Sequence, residues 1–218
     1  VYLSEYQLRQ EIIWVTRIVT EQGLVRSSDG NISARLDENR FLVTPSGLYK
    51  MAMATEDPVI VNWDGKVLKG KKNYIPTSEL RMHLEIYRLR RDINAVLHAH
   101  PPHCIALTID EIPFPTDLLP EVLLELGDVP TAPYARPGSK ELALSIRDYI
   151  LDNNAILLSH HGSINVGRTL EEALITLERL EHTARIYYLS KAMGELRTLS
   201  KEEVDDLRDR GKKARKGD

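Results

Sequence analysis

Ala95-Val96-Leu97-His98-Ala99-His100-Pro101 is the stretch that decides how this chain is read. Val96 and Leu97 favour a strand and Pro101 ends it. A strand sends alternate side chains to opposite faces, so His98 and His100 present two imidazoles on one side. Two imidazoles so spaced make half of a zinc-type site, and catalytic zinc typically takes three protein ligands and leaves one position open. An isolated His-x-His is more often incidental, so further ligands have to come from elsewhere in the chain. His161 is the best third candidate. It follows Ala155-Ile156-Leu157-Leu158, which reads as a buried strand, and it precedes Gly162. A strand end at that point delivers a side chain to a pocket, while His160 would point the other way if the strand continued.

Outward from this strand the chain alternates irregularly between helices and strands. Ser4 and Gln7 form a capping-box pattern, and Leu8, Ile12, Val15 and Val19 recur at helical spacing, predicting a helix from Ser4 to Gln22. Short strands are expected at Asn31 to Leu36, Phe41 to Thr44 and Val59 to Trp63, with Asp64-Gly65 turning into Lys66-Val67-Leu68. A helix should run from about Ser78 to Arg91, with Leu80, Leu84 and Tyr87 on one face. Its second turn places His83 on the same face as Glu79. Beyond the histidine strand, a proline-bearing segment (Pro113 to Pro120) leads to a strand near Tyr134 and a helix over Glu141 to Leu151. Thr169 and Glu172 cap a long helix to about Met193. Ser200 and Glu203 open a short charged helix that decays into a solvated basic tail, Gly211 to Lys216.

The 218 residues suffice for one substantial core, and no proline- or glycine-rich linker divides them. A single α/β domain is the reading, with a charged tail from about residue 200. Hydrophobic residues make up 42% and charged residues 28%, as in a globular protein, and a net charge of -3 offers no bulk attraction to nucleic acid or anionic membrane. No apolar run approaches the length of a membrane span. The first residues lack the basic-then-apolar order of a signal peptide, and the one cysteine, Cys104, fits a reducing cytoplasm. Its apolar neighbours make it a buried structural thiol. His103 is a candidate supporting residue, and His182 lies in a helix as a surface or packing residue.

Three turns complete the inventory. Thr77-Ser78-Glu79 opens a helix, where free backbone donors and a partial positive charge suit a phosphate, though taken alone it is an ordinary N-cap with an acidic first turn. Gly30-Asn31 and Pro45-Ser46-Gly47 are each ordinary turn chemistry taken alone. None has the spacing of a Walker loop.

Taken in order, these pieces resemble the class II aldolase/adducin family, and its fuculose-1-phosphate aldolase branch in particular. Gly30-Asn31-Ile32-Ser33 is similar to that family's Gly-Asn-x-Ser loop, and Thr44-Pro45-Ser46-Gly47 to its Thr-Pro-Ser/Thr-Gly turn. Thr77-Ser78-Glu79 with His83 and Tyr87 is similar to its Ser-Ser-Glu helix start. His98-Ala99-His100-Pro101 and His161-Gly162 resemble its two metal-ligand segments. The resemblance implies a central, mainly antiparallel sheet flanked by helices, in a cyclic homotetramer with sites at subunit boundaries. It also implies Zn2+, or Mn2+ or Co2+ in its place, held by His98, His100 and His161. Glu79 would be the catalytic acid/base. Gly30, Asn31, Ser46, Gly47, Thr77 and Ser78 would hold the phosphate of a ketose 1-phosphate, which is cleaved to dihydroxyacetone phosphate and an aldehyde.

The match fails at one place. Fuculose-phosphate aldolases carry a proton-donating tyrosine shortly after the second histidine ligand, whereas Phe114 to Glu121 contains none, and Leu119 falls near that position. An apolar Leu119 suits a deoxy or alkyl-bearing aldehyde. Tyr134, Tyr187 and Tyr188 are substitute donors, with core packing the simpler role for each. Glu79 argues against the ribulose-phosphate 4-epimerases, which carry aspartate there. Methylthioribulose-1-phosphate dehydratases share the glutamate, metal and phosphate residues, so dehydration is the alternative reaction. A non-catalytic, adducin-like assembly domain is the reading from another class, and the intact histidines and glutamate argue against it.

Overall fold

A computed structural model describes residues 2–216. Its centre is an eight-stranded sheet in the order β4-β3-β2-β1-β5-β8-β7-β6. The strands are β1 (Asn31–Arg35), β2 (Phe41–Val43), β3 (Val59–Val61), β4 (Val67–Lys69), β5 (Ala95–Ala99), β6 (Thr131–Ala132), β7 (Ala155–Leu158) and β8 (Gly162–Gly167). Every pairing is antiparallel except β6 with β7. The expected mainly antiparallel sheet is therefore present.

Helices cover both faces. On one side lie α1 (Glu5–Glu21) and α6 (Leu170–Met193), whose Leu8, Ile12, Val15, Leu174 and Leu177 pack on Ile32, Leu42, Ile60 and Leu97. On the other lie α2 (Leu80–Leu89), α4 (Lys140–Ser145) and α5 (Arg147–Ile150), packed through Met82, Ile86 and Ile146 on Phe41, Val61, Val96 and Val166. The alternation in β5 thus gives Leu97 to the first layer and Val96 to the second. His98, two residues from Val96, faces the α2 layer.

Several local expectations hold. Ser4 caps α1 with both bonds of the capping box, and the Thr169 hydroxyl accepts from the Glu172 N–H at the start of α6. Cys104 is buried. Others are corrected. The strand near Tyr134 is a two-residue pairing at Thr131–Ala132, and Tyr134 itself lies beyond it, exposed. The single helix over 141–151 is two, broken at Ile146. The basic end is no free tail: α7 (Lys201–Lys216) continues through Gly211 and packs on a wide turn at Val122–Leu126. The segment after β5 forms α3 (Pro102–Ile109). His161 precedes another strand, β8, because β7 and β8 form a hairpin around Ser159–His161.

The close approach of β8 to β5 depends on Gly162. A Cβ there would collide with the carbonyl oxygen of Ala99, which is backbone and has little room to give. Gly162→Ala should lower the denaturant midpoint by the equivalent of about 2 kcal/mol or more. An unchanged midpoint would show that the β5–β8 spacing is not tight.

Candidate metal centre and active site

His98, His100 and His161 come together, each contributing a ring nitrogen within 4.8 Å of the others. β5 supplies the first two and the β7–β8 hairpin the third. His98 Nδ1 lies 3.0 Å from the carbonyl oxygen of Ser163 on β8. A carbonyl only accepts, so Nδ1 carries the proton and the lone pair of a neutral His98 is at Nε2. That Nε2 is 3.0 Å from His100 Nε2 and 3.1 Å from Glu79 Oε2. Glu79 stands immediately before α2, with its other oxygen 3.5 Å from His161 Nε2.

A neutral imidazole lone pair against a carboxylate repels unless positive charge lies between them. Two buried atoms, Glu79 Oε1 and His161 Nδ1, also have no hydrogen-bond partner. Three converging imidazoles beside a carboxylate thus fit a divalent cation, with the histidines as its neutral ligands. Burial, reinforced by repulsion from His98 and His161, pulls the His100 imidazole down to about 3 against the attraction of Glu79. Burial also brings His161 to about 4, with His98 adding to the effect. Both rings are uncharged near neutral pH, as metal ligands must be. Burial opposes ionisation of Glu79, but positive charge on the His98 side of the cluster, which a bound cation would supply, and the Asn31 amide hold its carboxyl well below the usual range.

Asn31 faces His98 across the β1–β5 pair. Its side-chain nitrogen is 2.9 Å from Glu79 Oε2, and its oxygen is 2.5 Å from His83 Nε2. His83 Nδ1 is 2.7 Å from the Ser33 hydroxyl, which is 2.8 Å from that of Tyr87. The sequence reading placed His83 beside Glu79 but missed this chain. Its signal was the alternation of Asn31 and Ser33 on β1 opposite His83 and Tyr87, four residues apart on α2.

The other expected phosphate residues lie on adjoining turns. Ser46 N donates to the Ile75 carbonyl (2.9 Å) and Thr77 N to the Thr44 carbonyl (3.1 Å), which brings the 44–47 and 75–78 segments side by side. Gly30 and Gly47 both have positive φ, 64° and 73°. Ser46, Gly47 and Ser78 are exposed, and Thr77 is buried with its hydroxyl accepting from Glu79 N. Lys50, unremarked in the sequence, is buried and donates to the carbonyls of Ser28 and Leu48, linking the loops beside Gly30 and Gly47.

His103 is not brought onto a metal ligand: its Nδ1 meets Glu181 Oε1 at 2.6 Å. His182 is exposed on α6. Leu119 lines a groove of about 790 Å³ with Leu24, Pro102 and His103, which starts where the histidine segment ends. Of the tyrosines read as packing residues, Tyr187 packs against buried apolar side chains, whereas Tyr134 and Tyr188 are exposed.

The family described as Class II Aldolase and Adducin N-terminal domain matches residues 10–188. The chain is 35% identical over 201 residues to a 5-deoxy-D-ribulose 1-phosphate aldolase of Bacillus thuringiensis serovar kurstaki, spanning 91% of this chain and 92% of that protein. It is 30% identical over 214 residues to a 3-oxo-tetronate 4-phosphate decarboxylase of Haemophilus influenzae, spanning 96% of this chain and all of that one. A solved L-fuculose 1-phosphate aldolase superposes with a TM-score of 0.84 at 31% identity, covering 94% and 96% of the two chains.

The buried imidazoles leave a signature in stability. His83 and His100 sit at about 3 and His161 at about 4, below the ordinary 6.5, so unfolding the metal-free chain near pH 5 takes up protons. Their contribution is present above the unfolded value and lost as pH falls through it toward the folded values. The Tm of metal-free protein should drop from about pH 7 to pH 5, less steeply in His83→Gln. A flat Tm across that window would contradict the uncharged burial of these rings.

Proposed function

The chain belongs to the class II aldolase and adducin family, in its fuculose-phosphate-aldolase-like branch, and on that premise we propose that it is a metal-dependent lyase cleaving a ketose 1-phosphate to dihydroxyacetone phosphate and an aldehyde. The observation that carries this reading is the convergence of three imidazoles on one buried carboxylate, Glu79. A divalent ion held by His98, His100 and His161, zinc or in its place manganese or cobalt, would supply Lewis-acid polarisation of a substrate carbonyl oxygen.

Glu79 does the proton work. Positive charge beside it keeps the carboxyl ionised, so it accepts the proton of the hydroxyl next to the bond that breaks. The bonding electron pair stays with the three-carbon phosphate fragment, and the hydroxyl carbon leaves as the aldehyde. Glu79 then returns the proton to the fragment's carbon. Gly30, Asn31, Ser46, Gly47, Thr77 and Ser78 hold the phosphate with neutral donors, and that remote anchor positions the reacting carbons. Leu119 shapes the aldehyde side and suits a deoxy or alkyl end. Assembly as a homotetramer is part of the proposal, supported by exposed apolar side chains at Tyr188, Leu189 and Met193 near the end of α6.

The similarity to a decarboxylase supports a second reading, because loss of carbon dioxide from an oxo-acid phosphate also breaks a carbon–carbon bond beside a carbonyl. Product identity separates the two. Purified protein would be assayed for bound metal, then incubated with fuculose-, ribulose-, 5-deoxyribulose- and methylthioribulose-1-phosphate and with an oxo-tetronate 4-phosphate. Chelator-sensitive release of dihydroxyacetone phosphate is expected. Carbon dioxide or water lost without that product would replace the aldolase reading, and absence of both metal and turnover would leave an assembly domain.

Two variants test the residues. His98→Ala should lose metal and turnover together; full activity without metal would remove the site. Glu79→Gln should keep its metal and lose about 10²-fold or more in kcat, and unchanged turnover would end its assignment as the base.

A further inference from the structure

The polar chain behind Glu79 has a determinate direction. A carboxylate only accepts, so the Asn31 atom 2.9 Å from Glu79 Oε2 is the donating NH2 group, and the amide oxygen faces His83. That oxygen also only accepts, so His83 Nε2, at 2.5 Å, carries a proton. A neutral imidazole has one N–H, which makes Nδ1 an acceptor for the Ser33 hydroxyl. With its own proton given to His83, Ser33 accepts from Tyr87. Ser33 and His83 are fully buried, and Tyr87, Asn31 and Glu79 are 1%, 5% and 6% exposed, so water is not at hand to replace a missing partner.

We propose that His83 is a positioning residue, held as the neutral Nε2–H tautomer, which locks the Asn31 amide with its NH2 group toward Glu79. The inference rests on Glu79 being the base. Its consequence is a division of labour between the two carboxylate oxygens. Oε2 accepts from Asn31 and faces the His98 lone pair where a cation would lie, whereas Oε1 has no hydrogen-bond partner and is the oxygen left to receive the substrate proton. An amide free to flip would present its oxygen to Oε2, and the repulsion would turn Glu79 out of line. Burial supports the neutral form, pushing the His83 imidazole down to about 3, with the charge of His98 adding and Glu79 opposing.

Two measurements test this. In zinc-loaded protein labelled with ¹⁵N at histidine, the long-range proton–nitrogen spectrum should show His83 protonated at Nε2 and bare at Nδ1 from about pH 6 to 8. Its signals would be assigned by their loss in His83→Gln. An Nδ1–H tautomer, or an imidazolium, would overturn the proposal even if every variant were inactive. In kinetics, His83→Phe should lose about tenfold or more in kcat while KM for the phosphorylated substrate changes little. His83→Gln, whose amide can donate to Asn31 and accept from Ser33, should recover most of the loss. Equal losses in the two variants, or a change confined to KM, would overturn the positioning role. If the tautomer is as expected and Glu79→Gln keeps turnover, the reading of Glu79 as base fails and the positioning role falls with it, while the hydrogen-bond chain stands.

Discussion

Glu79 places an ionised carboxylate 6% exposed at the head of α2, and the burial of that charge sets the terms for everything around it. A carboxylate taken out of water has to be met by donors or by positive charge. Here the donor is Asn31 on β1, and the charge is that of the cation which His98 on β5 and His161 between β7 and β8 would hold beside it. The centre of the sheet is therefore tied to one oxygen pair. The registers follow the same logic, with Asn31 opposite His98 and Ser163 opposite Ala99. A slip of one residue in either pairing would turn the ligand face to the wrong layer.

The two faces of the sheet divide stability from chemistry. Beneath α1 and α6 the contacts are aliphatic. Beneath α2 the apolar packing is interrupted by a line of polar side chains running from Tyr87 through Ser33, His83 and Asn31 to Glu79. Such a line is tolerable in a core only when every member is satisfied, and satisfied networks hold their parts in a single arrangement. Rigidity is what the proposed base needs if it is to meet a substrate hydroxyl at bonding distance. The orphaned carboxylate oxygen, Glu79 Oε1, lies 3.5 Å from His161 Nε2, at the end of the network where the histidines converge.

Away from that centre the fold is less uniform. From Pro102 to Ala132 the chain forms a helix, a proline-bearing stretch, a wide turn and a two-residue strand. α7 packs against the turn, and the Leu199 N–H reaches the Asp117 carbonyl at 3.0 Å. Leu119 and the groove beside it belong to this part. The proposed metal and phosphate residues sit instead on the central strands and the turns that leave them. A family with such a division can keep one way of breaking a bond and vary the group released, which accords with relatives named as aldolases and as a decarboxylase.

The sequence by itself determined the elements whose signals are local. Helix α1 and the start of α6 were legible because a capping box is read within four residues, and the convergence of three histidines that could hold a metal because a two-residue period on a strand and a histidine before glycine carry their geometry with them. Composition and periodicity also sufficed for a single α/β domain, and the family resemblance implied the antiparallel sheet flanked by helices. Tertiary structure decided what has no local signal. The basic end is helical because α7 has the Val122–Leu126 turn to lie on, and β6 is short because only Thr131 and Ala132 meet β7. The polar face of β1 would read as a solvent face by alternation alone. It is buried because α2 lies over it, bringing His83 and Tyr87 to Asn31 and Ser33 across roughly fifty residues of chain. Hydrogen-bond partners so far apart leave no periodicity in a sequence, and only the packing of helix on sheet makes them neighbours.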